Sequence, residues 1–126
     1  MASGYPAGMP EVLLVEDDAD VLEVLQQALT EAGYVVATAS TRTEAARHLM
    51  TRRVDLLITD LVLEDGDGGM LFDVAERRGI PVVGITGYLT RQAQRVRQPP
   101  RLVLRKPFPA EHLTLAAQRL LARGAA

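Results

Sequence analysis

The chain has 126 residues, of which 48% are apolar and 24% charged, and its net charge is −2. That length makes one domain with room for a sizeable core, because single domains cluster at roughly 100–150 residues. The absence of cysteine excludes a disulfide framework, a thiolate metal site and a cysteine nucleophile, and the slight negative charge argues against general affinity for nucleic acid.

Residues 1–10 (MASGYPAGMP) lack periodicity and are rich in Gly, Ala and Pro, so they read as a tail or linker remnant preceding a domain over 11–124. The apolar run Val12–Val15 predicts a first strand. Asp20 to Ala32 predicts a helix with Val21, Val24, Leu25, Ala28 and Leu29 on one face and Gly33 as its stop. Tyr34–Ala37 reads as the second strand, and Thr43 to Met50 as the second helix behind a capping Thr41. Val54–Thr59 is the third strand, followed by a helix from Met70 to Arg78 that Gly79 ends. Ile80–Thr86 is the fourth strand, and Thr90 to Arg97 a polar fourth helix stopped by Pro99-Pro100. Leu102–Leu104 is the fifth strand. A last helix runs from Ala110 to Ala122, with Leu113, Ala117, Leu120 and Leu121 as its apolar positions. No apolar run approaches the ~20 residues that span a bilayer, and no secretory leader pattern is present. The expectation is a soluble, cytoplasmic chain without a membrane partner.

Continuous apolar strands alternating with amphipathic helices imply an α/β domain whose parallel sheet is covered by helices on both faces. Such doubly wound sheets bind ligands beyond the carboxyl ends of their strands, where the strand order reverses. Four of the five predicted strand ends carry reactive groups: Glu16-Asp17-Asp18, Asp60, Thr86-Gly87, and Lys106-Pro107-Phe108. Converging carboxylates repel unless a cation sits among them. Oxygen ligands without nitrogen or sulfur suit Mg²⁺ or Mn²⁺. Lys106 is the one lysine beside 13 arginines, and a compact ammonium suits a phosphoryl oxygen. Metal, lysine and the Thr86 hydroxyl together form an electrostatic cradle for a transferring phosphoryl group, and Asp60 then serves as nucleophile, because an aspartate forms an acyl phosphate.

VLLVEDD, LLITD, VVGITG and LRKPF, in that order, resemble the receiver domain of two-component response regulators, from Glu11 to about Arg123. The resemblance implies a flavodoxin-like five-stranded sheet of order 2-1-3-4-5. It implies that Asp60 is the phosphoacceptor, that Asp17 binds Mg²⁺ directly and Glu16 through water, and that the Val62 carbonyl completes the protein ligands. Thr86 would be the switch hydroxyl and Lys106 the cation paired with Asp60, across a Lys106–Pro107 bond that is often cis in the family. Asp18 has no metal role in that pattern. The donor would be a histidine kinase or histidine phosphotransfer protein, and the output surface would lie around the fourth helix and fifth strand. The domain would catalyse only its own phosphorylation and dephosphorylation.

Three departures accompany the resemblance. Val103 occupies the switch position where the family has an aromatic residue. Glu64 replaces the usual proline, which leaves an acidic, glycine-rich and therefore mobile loop, Glu64-Asp65-Gly66-Asp67-Gly68-Gly69. The segments between Asp60, Thr86 and Lys106 are short, so the third and fourth helices should be stunted. Val62 and Tyr88 stand where the family gates water access to the phosphoryl group, and their apolar bulk implies slow self-dephosphorylation. Asp65-Gly66-Asp67-Gly68 does not fit a calcium loop, because Met70 stands where the sixth-position glycine belongs; it reads as a turn capping the next helix. His48 and His112 receive no role. The acid-free stretch between Glu76 and Glu111 holds Arg77, Arg78, Arg91, Arg95, Arg97, Arg101, Arg105 and Lys106. Its 91–105 region reads either as a solvated face or as a docking surface for an acidic protein. Direct DNA binding is not expected without a recognition helix. The alternatives are a receiver-shaped interaction module that is not phosphorylated, and a metal-dependent phosphatase, which the apolar Val62 disfavours.

Overall fold

A computed structural model describes residues 8–87 and 102–125. The predicted fourth helix at 90–97, Tyr88 and the arginines from Arg91 to Arg101 lie outside the described residues. The strands are β1 (Glu11–Val15), β2 (Val35–Ala39), β3 (Leu56–Asp60), a short pair β4 (Val62–Leu63) and β5 (Gly66–Asp67), then β6 (Val82–Thr86) and β7 (Leu102–Arg105). The helices are α1 (Ala19–Glu31), α2 (Arg42–Thr51), α3 (Gly69–Arg77) and α4 (Ala110–Ala125). Five parallel strands stand in the order β2-β1-β3-β6-β7, which is the expected 2-1-3-4-5 arrangement of a flavodoxin-like α/β fold. The chain leaves β1 for β2 and then crosses back to β3, so the order reverses between β1 and β3.

Alternation along the strands sorts two cores. Val12 and Leu14 of β1, Leu56 and Ile58 of β3, and Val83 and Ile85 of β6 meet Leu25 and Leu29 of α1 and Leu113 and Ala117 of α4. Leu13, Val15 and Leu57 face the other way, onto Ala45 and Leu49 of α2 and Leu71 and Ala75 of α3. Both faces are thus apolar along one strand, which is why β1 and β3 read as unbroken apolar runs rather than alternating ones.

Most helix ends follow the local chemistry expected of them. The Thr41 hydroxyl accepts the Glu44 amide to cap α2. Gly33 and Gly79, both at positive φ, follow α1 and α3. One expectation is corrected. Val24 is 59% exposed, whereas Leu22 packs against the core. At 100° per residue Leu22 lies about 40° from the centre of the Leu25–Leu29 stripe and Val24 about 120° from it. The centre of the acidic loop folds as the antiparallel ribbon β4–β5, and Gly68 stands at the N-cap of α3. Asp65 binds the start of α2, some 22 residues back in the chain. α3 has 9 residues, as short as expected.

Candidate functional site

Parallel β1 and β3 end side by side, which brings Glu16 and Asp17 next to Asp60 at the reversal point. β6 and β7, the next strands outward, deliver Thr86 and Lys106. The Lys106 amide donates to the Thr86 carbonyl at 2.7 Å, which continues the β6–β7 ladder one step past β7. The Lys106–Pro107 bond is cis. Glu16, Asp17, Asp18, Asp60, Val62, Thr86, Gly87, Lys106 and Pro107 line one open cleft of about 570 Å³.

Lys106 is its hub. Its Nζ donates to Glu16 Oε2 at 2.7 Å and to Asp60 Oδ2 at 3.0 Å. The Glu16 side chain is fully buried, and those of Asp60 and Lys106 are 10% and 23% exposed. The other oxygen of each carboxylate is held from the backbone: Asp18 N donates to Glu16 Oε1 at 3.2 Å, and Val62 N to Asp60 Oδ1 at 3.0 Å. Buried Thr59 donates its hydroxyl to the Asp60 carbonyl oxygen at 3.0 Å. Burial pushes the Glu16 carboxyl above its ordinary range, and neither the Lys106 hydrogen bond nor the Asp18 amide cancels it. Burial opposes the Lys106 ammonium as well, but its hydrogen bonds to Glu16 and Asp60 prevail and its pKa rises, so it is charged at neutral pH.

Carboxylate oxygens of Glu16, Asp17 and Asp60 lie within 4.8 Å of one another. This all-oxygen set, with Asp17 exposed to water, fits a small hard cation that retains several waters. Asp18 stays out of that set; its carboxylate accepts from the amides of Asp20 and Val21 and so caps α1.

Six residues marked by the sequence therefore meet in one cleft: Glu16, Asp17, Asp60, Val62, Thr86 and Lys106. Val103 does not join them. It lies on β7, paired with Gly84 and 37% exposed. Sequence reasoning missed two features. The direct Lys106–Glu16 pair joins residues 90 positions apart, and only the fully buried end of β1 forces it. The anchoring of the 64–69 loop on α2 is the other; the Asp65-Gly66 dipeptide signalled a turn but not its destination.

The sequence matches the response regulator receiver domain family over residues 12–118, and the chain belongs to that family. It is 32% identical over 120 residues to the transcriptional regulatory protein CusR of Escherichia coli K12, covering 92% of this chain and 53% of CusR. It is 39% identical over 79 residues to the transcriptional regulatory protein GlrR of the same strain, covering 61% of this chain and 18% of GlrR. The chain thus spans at most about half the length of these curated relatives. The receiver domain of the sensor histidine kinase PA1611 of Pseudomonas aeruginosa PAO1, solved with a magnesium ion coordinated in its active-site cleft, superposes with a TM-score of 0.82 at 25% identity, covering 91% of this chain and 99% of that one. Receiver domains accept phosphoryl groups in two-component systems and partner with histidine kinases, and that is the class of this chain. Among the described residues no helix is long and apolar enough to cross a membrane.

Proposed function

We propose that Asp60 is the phosphoacceptor, and that Lys106 and Thr86 act on the group it receives. The observation that carries this reading is the Lys106 ammonium held between Glu16 Oε2 and Asp60 Oδ2 at the β1/β3 reversal point. One Asp60 oxygen attacks phosphorus, and the bond from phosphorus to the donor breaks with its electron pair leaving on the donor. The ammonium of Lys106 then pairs with a phosphoryl oxygen, and the Thr86 hydroxyl donates to another. Glu16, Asp17, Asp60 and the Val62 carbonyl would hold Mg²⁺, which when bound supplies positive charge against the phosphoryl oxygens. The domain's catalysis is confined to its own modification and its reversal. A cytoplasmic histidine kinase or histidine phosphotransfer protein is the donor class.

Val103 stands on β7 at the switch position where the family has an aromatic residue, so the output change is read from the Thr86 hydroxyl. An acidic protein is the partner class for the arginine-rich 91–105 region; exposed Arg105 is its one member among the described residues. The domain boundaries 11–124 are part of the same proposal. Incubation with Mg²⁺ and acetyl phosphate, followed by intact mass, tests the central claim. One added phosphoryl group, absent from Asp60→Asn and from the reaction in EDTA, is expected. No gain with either Mg²⁺ or Mn²⁺ would favour the unphosphorylated interaction module.

A further inference from the structure

The β4–β5 ribbon is tied down at both ends. At its turn the Asp65 carboxylate accepts from Arg42 N at 2.7 Å, Thr43 N at 3.1 Å and Thr43 Oγ1 at 3.2 Å. Two of the amides that a helix start leaves without intrahelical partners are thereby satisfied by a residue outside the helix, while Thr41 serves the third. The Arg42 amide chiefly, with the two Thr43 donors, holds the Asp65 carboxyl below its usual range. Gly66 has φ +142°, and a Cβ there would sit 2.7 Å from Arg42 Nη1. The guanidinium therefore lies directly over the ribbon, and the positive φ favours glycine at the turn.

The other end of the ribbon closes on Asp60. Val62 N holds Asp60 Oδ1 at 3.0 Å, and Gly68 N donates to the Leu61 carbonyl at 2.9 Å. A Cβ on Gly68 would sit 2.9 Å from the Asp60 carbonyl oxygen, so the returning chain lies against the backbone of the nucleophile. The terminal torsion of an aspartate is broad and roughly two-fold. Among the described residues its orientation is set by one donor on each oxygen: Lys106 on Oδ2 and Val62 N on Oδ1. The second donor belongs to the ribbon.

We propose that Asp65 is a positioning residue for phosphoryl transfer: it pins the ribbon's turn to the first turn of α2 and so keeps the Val62 amide on Asp60 Oδ1. The inference rests on reading Asp60 as the phosphoacceptor. Loss of the pin loosens the Val62 amide from Asp60 Oδ1 and leaves Lys106 as the remaining donor among the described residues, and a misplaced nucleophile loses rate even where every reacting group is intact.

The test compares wild type, Asp65→Ala, Asp65→Asn and Thr41→Ala. Phosphorylation by acetyl phosphate at saturating Mg²⁺ is followed by mass, and exchange of the Val62 amide by NMR in metal-free protein. Asp65→Ala is expected to slow phosphorylation about tenfold, the low end of what loss of a supporting contact costs, and to speed Val62 exchange. Asp65→Asn, which keeps an acceptor for the Arg42 amide, is expected to recover part of both. Thr41→Ala weakens the same helix start without touching the ribbon, so it is expected to keep wild-type kinetics. Wild-type kinetics and exchange in Asp65→Ala would overturn the proposal, as would equal slowing in Thr41→Ala. A wild-type protein that takes no phosphoryl group would instead overturn the Asp60 reading, and unchanged Val62 exchange in Asp65→Ala would still overturn the pin.

Discussion

Replacing Lys106 by Met keeps most of its apolar stem and removes its charge from between two carboxylates. At an effective dielectric constant of about 20, the contacts at 2.7 and 3.0 Å are worth about 6 and 5.5 kcal/mol of gross attraction. Carboxylate oxygens of Glu16 and Asp60 lie within 4.8 Å, so their repulsion on the same scale is at least about 3.5 kcal/mol. The desolvation of Lys106 offsets much of this sum. Breaking one side of a buried pair costs a net 3–5 kcal/mol or so, and the 23% exposure of Lys106 above an open cleft places it at the lower end. We therefore expect Lys106→Met to lose about 3 kcal/mol in EDTA. For a domain of this size that lowers the thermal midpoint by about 12 °C. Adding Asp60→Asn removes one of the two orphaned charges and is expected to restore about half of the loss. Mg²⁺ is expected to raise the midpoint of Lys106→Met by more than that of wild type, because the ion replaces the missing charge. Thermal unfolding by circular dichroism of the three proteins, with and without Mg²⁺, reads every arm. A Lys106→Met midpoint in EDTA within about 3 °C of wild type would refute the reasoning, because the buried carboxylates would then not depend on the lysine.

Other perturbations separate packing, chemistry and pH. Leu57 is fully buried between β3 and the α2–α3 layer; Leu57→Ala is expected to cost about 3 kcal/mol in denaturant unfolding, and a loss below about 1 kcal/mol would mean that this face of the sheet is loosely packed. Val62 lines the cleft beside Asp60, and Val62→Asn is expected to shorten the acyl-phosphate lifetime about tenfold by giving water a polar foothold, roughly 1.4 kcal/mol of barrier; an unchanged decay after donor removal would contradict slow self-dephosphorylation by exclusion of water. Burial, and then the Arg52 charge, hold His48 below its usual 6.5. As pH falls the unfolded chain therefore takes up its proton first, so this contribution to stability is complete above about pH 6.5 and is lost as pH falls through that value toward the folded pKa. His48→Gln is expected to flatten that limb of the midpoint-versus-pH curve, and equal slopes in the two proteins would remove His48 as its source.

The chain's strand–helix alternation was legible because burial on both faces makes a strand continuously apolar, while a helix shows its stripe every three or four residues. Both signals are local. The site was legible for a related reason. A doubly wound sheet carries every strand's carboxyl end to one edge, so Glu16, Asp17, Asp60, Thr86 and Lys106 could be grouped without knowing a single distance. Finer choices were not. Val24 and Leu22 are both apolar neighbours of the Leu25–Leu29 stripe, and the line along which α1 meets the sheet and α4 decided between them.

What the sequence by itself determined is therefore the architecture, the edge that carries the chemistry and the residues gathered there, since each follows from periodicity and from strand ends. The tertiary structure alone decided which of them touch. Lys106 bridges Glu16 as well as Asp60 because β1 buries Glu16 completely and a buried carboxylate needs a partner. Asp65 turns back to α2 rather than forward to α3 because the folded ribbon carries its turn to the open amides of Arg42 and Thr43. Such pairings depend on how separate elements are docked in space, a relation that residue spacing along the chain does not encode.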